Sequence, residues 1–241
     1  MSLKEEIVRW IKERVKEAKA KGIVVGLSGG IDSSVVASLS CEAIKEKVLG
    51  MIMPCQSLAE DERYAFMIAE RLQIKTEKVV LDSVYEEILK IFPPGNQLSK
   101  ANLKPRLRMI VLYYFANNLN YLVAGTGNKS EITVGYFTKY GDGGADILPL
   151  GGLLKSEVRK LAKELNIPGE IIERPPTAGL WKGQTDEGEL GISYEELDRI
   201  IQGIELNNIE SLPLEKVTRV KELIKFSRHK RFLAPVFKKQ N

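Results

Sequence analysis

The chain has 241 residues, of which 44% are hydrophobic and 28% are charged, and its formal net charge at pH 7 is +4. This composition is that of an ordinary globular protein with one or two domains and room for one substantial core. Such a small net charge does not require a nucleic-acid partner, and we expect none, but it suits small polyanionic ligands.

The first third of the chain alternates helical and strand patterns. Residues 4–20 carry apolar side chains at helical spacing with charges between them, which predicts an amphipathic helix. Short apolar runs rich in β-branched residues then predict strands at 23–27, 48–53 and 75–81, with helices at 33–45 and 59–72. Strands that alternate with helices of this length indicate right-handed crossovers and an α/β fold, with an open parallel sheet covered by helices on both faces.

Beyond residue 81 the pattern continues with more interruptions. Pro93 and Pro94 end a short helix, and Pro105 is compatible only with the first turn of a longer one. Two stretches, 135–149 and 173–189, are rich in glycine or proline and have no clean period, so we expect functional loops there, the second one mobile. The other predicted elements are helices at 84–91, 155–165, 193–204 and 214–226, a helix running through residue 116, and a strand at 121–124. We expect one domain, residues 1–241, on which the N-terminal helix and the C-terminal helical tail pack.

The sequence Ser-Gly-Gly-Ile-Asp-Ser-Ser at residues 28–34 follows the first predicted strand and opens a helix. Backbone N–H groups in such a turn, together with the helix dipole, make a cradle for an anion, and we expect Ser28, Ser33 and Ser34 to add donors. The loop is not a Walker A motif, because no Gly-Lys-Ser/Thr follows the glycines. Asp32 would repel a bound phosphate unless a cation lay between them, which points to Mg²⁺. The alternative is an ordinary strand–helix turn, for which Gly-Gly alone would be enough.

A second polar turn, residues 125–131, follows the predicted strand at 121–124. Ligands of open α/β sheets bind beyond the carboxyl ends of the strands, and both polar turns lie there. We therefore expect the two turns to flank one site.

The two cysteines, Cys41 and Cys55, lack CxxC spacing, so a disulfide framework is not expected. The first residues lack the apolar core of a signal peptide, and no apolar run approaches membrane-spanning length. We expect a cytoplasmic protein without a membrane partner.

The loop at residues 28–34 resembles the pyrophosphate-binding loop of the N-type ATP pyrophosphatases, which split ATP into AMP and pyrophosphate. Further segments resemble one family within that class, the ammonia-dependent NAD synthetases, in order and spacing. These segments are residues 102–109, 125–131, 135–147, 154–155, 176–180, 186–187 and 229–230. A set that spans residues 22 to 231 is far more specific than any single motif.

The resemblance implies a Rossmann-like, doubly wound sheet of the adenine nucleotide α-hydrolase type, and the last step of NAD biosynthesis. The nicotinate carboxylate of deamido-NAD would attack the α-phosphorus of ATP and release pyrophosphate. Ammonia would then displace AMP and leave the amide of NAD. ATP is needed because a carboxylate is a poor electrophile and adenylation supplies a good leaving group. The resemblance also implies a homodimer with substrate sites at the subunit interface.

The resemblance assigns roles to particular residues. Asp32 and Glu131 would hold Mg²⁺, and Lys155 would neutralise phosphate charge, which makes these three the predicted catalytic set. The positions that match ATP-binding residues of the family are Gly26, Leu27, Ser28, Gly29, Gly30, Ile31, Asp32, Ser33, Thr126, Lys155 and Thr177. Those that match deamido-NAD-binding residues are Arg106, Lys139, Asp146, His229 and Lys230. We expect Asp32 and Glu131 to be exposed in a cleft.

Several of these residues have structural alternatives. Glu131 suits the first turn of any helix, and threonine hydroxyls in turns often satisfy nearby backbone groups. Arg106 and Arg108 could simply solvate the polar face of a helix. A lone histidine such as His229 is often structural.

The nitrogen source and two rival functions complete the expectations. The chain has no room for the cysteine-dependent amidase of a glutamine-dependent enzyme, so we expect free ammonia to be used, with Asp142 or Asp186 as candidates to capture ammonium.

One rival function is another N-type ATP pyrophosphatase, such as a tRNA-thiolating or GMP-forming enzyme. Thiolation normally needs reactive cysteines, and no cationic activator lies near either cysteine in sequence. The other rival is a non-enzymatic ATP-binding sensor, which should not need two acids and a lysine around the phosphates.

Overall fold

A computed structural model of the protein describes residues 1–181 and 183–239. Its core is a four-stranded parallel sheet with the strand order β3-β2-β1-β4. The strands are β1 (Gly22–Gly26), β2 (Val48–Ile52), β3 (Lys75–Lys78) and β4 (Tyr121–Ala124). The parallel sheet confirms the prediction made from the alternation of strands and helices.

Helices pack on both faces of this sheet, and the C-terminal part of the chain is helical. They are α1 (Leu3–Glu17), α2 (Ile31–Ile44), α3 (Ala59–Leu72), α4 (Asp82–Ile91), α5 (Gln97–Ala101), α6 (Leu103–Leu119), α7 (Lys129–Val134), α8 (Lys155–Glu164), α9 (Gly169–Ile172), α10 (Asp186–Leu190), α11 (Tyr194–Glu205), α12 (Leu214–Phe226) and α13 (Arg228–Arg231).

Both faces of the sheet are covered, because the side chains of β1 alternate between two apolar cores. Ile23 and Val25 belong to a core formed with α1, α2, α3 and α8. Val24 points the other way and belongs to a second core, to which α4 and α6 contribute. All three side chains are fully buried, as expected for a central strand of a parallel sheet.

A third apolar cluster holds the C-terminal helices α11 and α12 against α7 and the start of α8. Leu197, Ile200 and Val220 from α11 and α12 pack in this cluster with Val134 of α7 and Leu154, which precedes α8. The starts of α7 and α8 carry Glu131 and Lys155, so this cluster supports two of the three predicted catalytic residues.

The structure departs from the predicted elements at the end of β3 and in four short helices that were not predicted, α5, α9, α10 and α13. β3 ends at Lys78 rather than residue 81, because β2 ends near Pro54, which has no N–H to continue the pairing. The short helix α5 was not predicted; the Asn96 side chain caps it by accepting from Ser99 N. The predicted loop 173–189, of which Lys182 lies outside the described residues, contains the start of α10, capped by the Thr185 side chain.

Two expectations about the whole chain can be compared directly with the structure. Cys41 and Cys55 are free thiols, as expected. Within the described part of the chain, no helix combines the length and the apolar character needed to cross a membrane.

Candidate active site

The turn between β1 and α2 has the backbone that an anion-binding loop requires. Gly29 has a φ of +76°, and a Cβ atom there would lie 2.3 Å from the carbonyl oxygen of Asp61, so only glycine fits. α2 begins at Ile31, immediately after the turn, so the positive end of its dipole lies at the loop.

The serines of this turn bond mainly to the turn itself. The hydroxyls of Ser33 and Ser34 donate to the Gly30 carbonyl oxygen at 2.9 and 2.8 Å. Ser28 Oγ accepts from the Gly30 N–H at 3.3 Å. In this conformation Ser33 and Ser34 therefore do not supply the free hydroxyl donors that the sequence predicted, because short polar side chains at a helix start bond to nearby backbone groups.

Asp32, Glu131 and Lys155 meet at the beginnings of three helices. Lys155 Nζ donates to Asp32 Oδ2 at 2.5 Å and to Glu131 Oε1 at 3.4 Å. The Lys155 side chain is 2% exposed, and those of Asp32 and Glu131 are 17% and 16% exposed. Both acids are less exposed than expected, because α11 packs against α7 and α8 and brings Tyr194 onto Glu131.

The charges of this trio shift each other's pKa values. Burial opposes the charge of Lys155, but the carboxylates of Asp32 and Glu131 outweigh it and raise the Lys155 pKa above its ordinary value. Burial raises the pKa of Glu131 to about 7; Lys155 lowers it in part, while Asp32 adds to the rise. Two acids share one lysine, so the trio favours a further cation.

Asn128 and Asp198 hold the trio in place. Asn128 Oδ1 accepts from Glu131 N at 3.0 Å, Glu131 Oε2 accepts from Asn128 N at 3.2 Å, and Asn128 Nδ2 donates to Asp32 Oδ1 at 2.9 Å. Asp198 accepts from Ser130 Oγ at 2.5 Å and from Ser156 N at 2.8 Å, and so connects the starts of α7 and α8. The sequence analysis missed both roles, although Asn-x-x-Glu before a helix is a readable capping signal.

Two tyrosines extend the polar network towards α10. Tyr194 Oη lies 3.2 Å from Glu131 Oε1 and 3.0 Å from Asp186 Oδ2. Tyr136 Oη lies 3.0 Å from Asp186 Oδ1 and 2.6 Å from Glu189 Oε2. Asp186, a candidate to capture ammonium, therefore lies within the same network as the trio.

A cavity of about 710 Å³ opens between the glycine turn and residues 174–181. All the positions that resemble ATP-binding residues of the family line it, with the exception of Gly29, and so does Glu131. Its volume lies in the range of small-molecule and cofactor sites. The structure thus brings together the two polar turns that the sequence analysis placed at one site.

Most of the predicted deamido-NAD set lies outside this cavity. Of the five residues, Lys230 alone lines it, and its Nζ donates to the carbonyl oxygens of Gly135 and Phe137. Arg106 donates to Lys139 O at 3.3 Å, and Lys139 Nζ donates to His229 O at 2.6 Å, so these three form one exposed chain of contacts.

Asp146, the fifth member of the set, is bonded next to β4. It accepts from Val123 N at 2.8 Å and from Tyr113 Oη at 3.1 Å. The structure therefore places four of the five residues of this predicted set outside the cavity.

Arg108 is a cavity residue that the sequence analysis had considered only as a surface arginine. Its Nε donates to Met53 O at 3.1 Å and its Nη2 to Ser57 Oγ at 3.2 Å, and the side chain lines the cavity. The spacing offers a signal that could have found it, because Arg106 and Arg108 are two residues apart on α6 and cannot share one helix face.

The residues present fit a magnesium ion bound together with substrate phosphates. In the described ranges 1–181 and 183–239, no group of three His, Cys, Asp or Glu side chains is arranged to hold a metal. Mg²⁺ in nucleotide sites, however, is usually held by one or two carboxylates plus the phosphates. Asp32 and Glu131 form such a pair. The Lys155 ammonium contacts both carboxylates, so the two are close enough to share one cation.

Comparison with known proteins places this geometry in one family. The profile of the NAD synthase family matches residues 3–234. The NH(3)-dependent NAD(+) synthetase of Carboxydothermus hydrogenoformans is 49% identical over 96% of this chain and 95% of its own length.

Solved structures agree with the sequence comparison. An NMN synthetase from Francisella tularensis superposes with a TM-score of 0.91 at 37% identity, covering 98% of each chain. An NH3-dependent NAD synthetase from Campylobacter jejuni, in complex with a nitrate ion, superposes with a TM-score of 0.87 at 30% identity, covering 99% of this chain and all of the other.

Proposed function

The chain belongs to the NAD synthase family, and from this premise we infer that its cavity binds the ATP of an ammonia-dependent NAD⁺ synthetase reaction. The protein is a ligase that forms an amide C–N bond. It uses ATP to adenylate the nicotinate carboxylate of deamido-NAD, and ammonia then displaces AMP to give NAD⁺.

In our proposal the glycine turn and the start of α2 hold the phosphates of ATP. The backbone N–H groups there and the helix dipole stabilise negative charge, and Gly29 leaves room for a close approach. Lys155 turns from the carboxylates towards the phosphates and stabilises the charge that develops as pyrophosphate leaves.

We also propose that Asp32 and Glu131 hold Mg²⁺ at this position. A bound Mg²⁺ would neutralise phosphate charge and favour departure of pyrophosphate. Asn128 keeps both carboxylates in place, since it bonds to Asp32 through its side chain and to Glu131 through its capping box.

The single observation that supports the proposal best is the convergence of Asp32, Glu131 and Lys155 on the wall of a nucleotide-sized cavity. A non-enzymatic sensor would not need a buried lysine shared by two acids. Thiolation is disfavoured because burial raises the pKa of Cys41 to about 11 and also raises that of Cys55, so neither thiol is activated.

Product analysis tests the proposed reaction. The purified chain is incubated with ATP, Mg²⁺ and ammonium, with or without deamido-NAD, and AMP, pyrophosphate and NAD⁺ are measured. We expect all three products in equal amounts, and only with deamido-NAD present. Release of AMP without an acyl acceptor would contradict the proposal.

A second candidate substrate follows from the Francisella tularensis structure, whose protein is described as an NMN synthetase. The same chemistry on nicotinate mononucleotide would give NMN, because the reacting carboxylate is identical. The ratio of kcat/KM for deamido-NAD and nicotinate mononucleotide distinguishes the two. Arg106→Ala should lower kcat/KM for deamido-NAD if the exposed chain of Arg106, Lys139 and His229 binds that substrate.

We further propose that the chain works as a homodimer, as one domain, and in the cytoplasm. α6 leaves Ile110 and Tyr114 exposed on one face, since they are four residues apart, and such apolar residues suit an interface. An interface close to Asp146 and Arg106 would complete the exposed deamido-NAD set. Sedimentation analysis tests the dimer. For the compartment, the free thiols of Cys41 and Cys55 agree with the reducing conditions of the cytoplasm.

A further inference from the structure

Tyr194 is a buried tyrosine whose hydroxyl lies between two carboxylates. The side chain is 1% exposed and stands at the start of α11, within the third apolar cluster. Phenylalanine would fill the same apolar space without burying a hydroxyl, which costs free energy unless it is hydrogen-bonded. Packing alone therefore does not account for the phenol, and its bonds to Glu131 and Asp186 do.

Three donors surround the Glu131 carboxylate. Asn128 N donates to Oε2 at 3.2 Å, while Lys155 Nζ and Tyr194 Oη lie 3.4 and 3.2 Å from Oε1. In the proposed reaction Lys155 turns to the phosphates. Among residues 1–181 and 183–239, the side chain that then still bonds to Oε1 is that of Tyr194.

We propose that Tyr194 is a positioning residue that holds Glu131 in its metal-binding orientation. The inference rests on the proposed function, in which Glu131 is a ligand of Mg²⁺. Tyr194 does not line the cavity, so it acts through Glu131 rather than as a catalytic residue.

The hydrogen-bond geometry explains how one hydroxyl serves both acids. A phenol carries one proton and donates to one carboxylate at a time. Asp186 has a second donor, Tyr136 Oη, at 3.0 Å from its Oδ1. Tyr194 can therefore donate to Glu131 while Tyr136 donates to Asp186. Glu189, the other carboxylate in contact with Tyr136, keeps a donor of its own in Gln184 Nε2 at 2.6 Å.

The experiment measures binding of Mn²⁺, a spectroscopic substitute for Mg²⁺, by electron paramagnetic resonance in the presence of α,β-methylene-ATP. This ATP analogue cannot be cleaved between the α- and β-phosphates, so no turnover is needed. In Tyr194→Phe the aromatic ring and its contact with the Lys155 ammonium, 5.0 Å from the ring centre, are retained. We expect the dissociation constant of Mn²⁺ to rise about 10- to 100-fold, as is typical when a partner of a metal ligand is removed.

Tyr136→Phe is the matched control, because it removes the other hydroxyl that contacts Asp186 but has no bond to Glu131. We expect this variant to bind Mn²⁺ with unchanged affinity. Unchanged affinity in Tyr194→Phe would overturn the proposal. Equal weakening in both variants would also overturn it, because loss of an Asp186 bond would then be sufficient.

Glu131→Ala separates this inference from the proposed function. If Glu131→Ala binds Mn²⁺ as the wild type does, the proposed metal site itself is wrong. If it binds weakly while Tyr194→Phe binds normally, only the role of Tyr194 is wrong. Tyr194→Phe adds no atom to the apolar space that Tyr194 fills, so we expect this variant to fold, which circular dichroism checks.

Discussion

Removal of the Lys155 ammonium should destabilise the protein before any substrate is bound. Lys155 is 2% exposed and lies between two carboxylates that are 17% and 16% exposed. In Lys155→Met the side chain keeps most of its apolar volume but loses its charge. Asp32 and Glu131 then face each other without their shared cation.

The expected size of the effect follows from this burial. Removing one partner of a buried ion pair costs about 3–5 kcal/mol, and the residual exposure of the two acids argues for the lower end, about 3 kcal/mol. In a domain of this size 1 kcal/mol shifts Tm by about 2–4 °C, so Tm should fall by about 6–12 °C. Mg²⁺ should restore part of the loss in the variant, because it supplies the missing positive charge.

The assay is thermal unfolding of wild type, Lys155→Met and Lys160→Met, each with and without Mg²⁺. Lys160 is an exposed residue of the same helix, so its variant controls for the general effect of replacing a lysine with methionine. If Lys155→Met and Lys160→Met unfold at the same temperature, Lys155 does not stabilise the fold by pairing with Asp32 and Glu131.

Four further results are expected. Asp32→Ala and Glu131→Ala should each lower turnover by about 10²-fold or more, and near-full activity at low Mg²⁺ would remove that residue from the metal site. Burial raises the Glu131 pKa from 4.5 to about 7, so the contribution of this residue to stability is present at low pH and is lost as pH rises through that interval. The free energy of unfolding of the wild type should therefore fall relative to that of Glu131→Gln as the pH rises from 4.5 to about 7. If the difference between the two proteins does not change with pH, the raised pKa is contradicted. Residues 135–146 and 175–189 should gain protection from hydrogen exchange when both substrates bind; equal protection would make them static walls. Purified chain should make NAD⁺ from ammonium but not from ammonia-free glutamine, faster as pH rises because ammonia is the nucleophile, and full activity on glutamine alone would refute the nitrogen source.

Local patterns were sufficient to predict the sheet and most of its helices. Strand 121–124 and helices 59–72 and 214–226 have in the structure the bounds predicted from sequence. Their apolar periodicity is strong and their ends carry clear stop signals. The short helices α5, α9, α10 and α13 were missed because four or five residues give no measurable period, and their formation depends on caps and tertiary contacts.

The candidate site was predictable only where neighbouring residues form a motif. The glycine turn, Glu131 and Lys155 each lie in such a motif, and the structure brings them together. The bond from Tyr194 to Glu131 and the bridge made by Asp198 join residues more than forty positions apart in the chain. No periodicity or turn signal encodes such pairings, because they depend on how α11 packs against α7 and α8.

The bridge from Asp198 to α7 and α8 has a consequence for how the protein is made. Chains emerge from the ribosome N-terminus first, and domains begin to fold as they appear. The last strand of the sheet ends at Ala124, so the sheet can form well before α11 has been synthesised. Until Asp198 emerges, the starts of α7 and α8 lack the carboxylate that joins them. A nascent chain can thus have a finished sheet and no working site, and unfinished chains would not consume ATP.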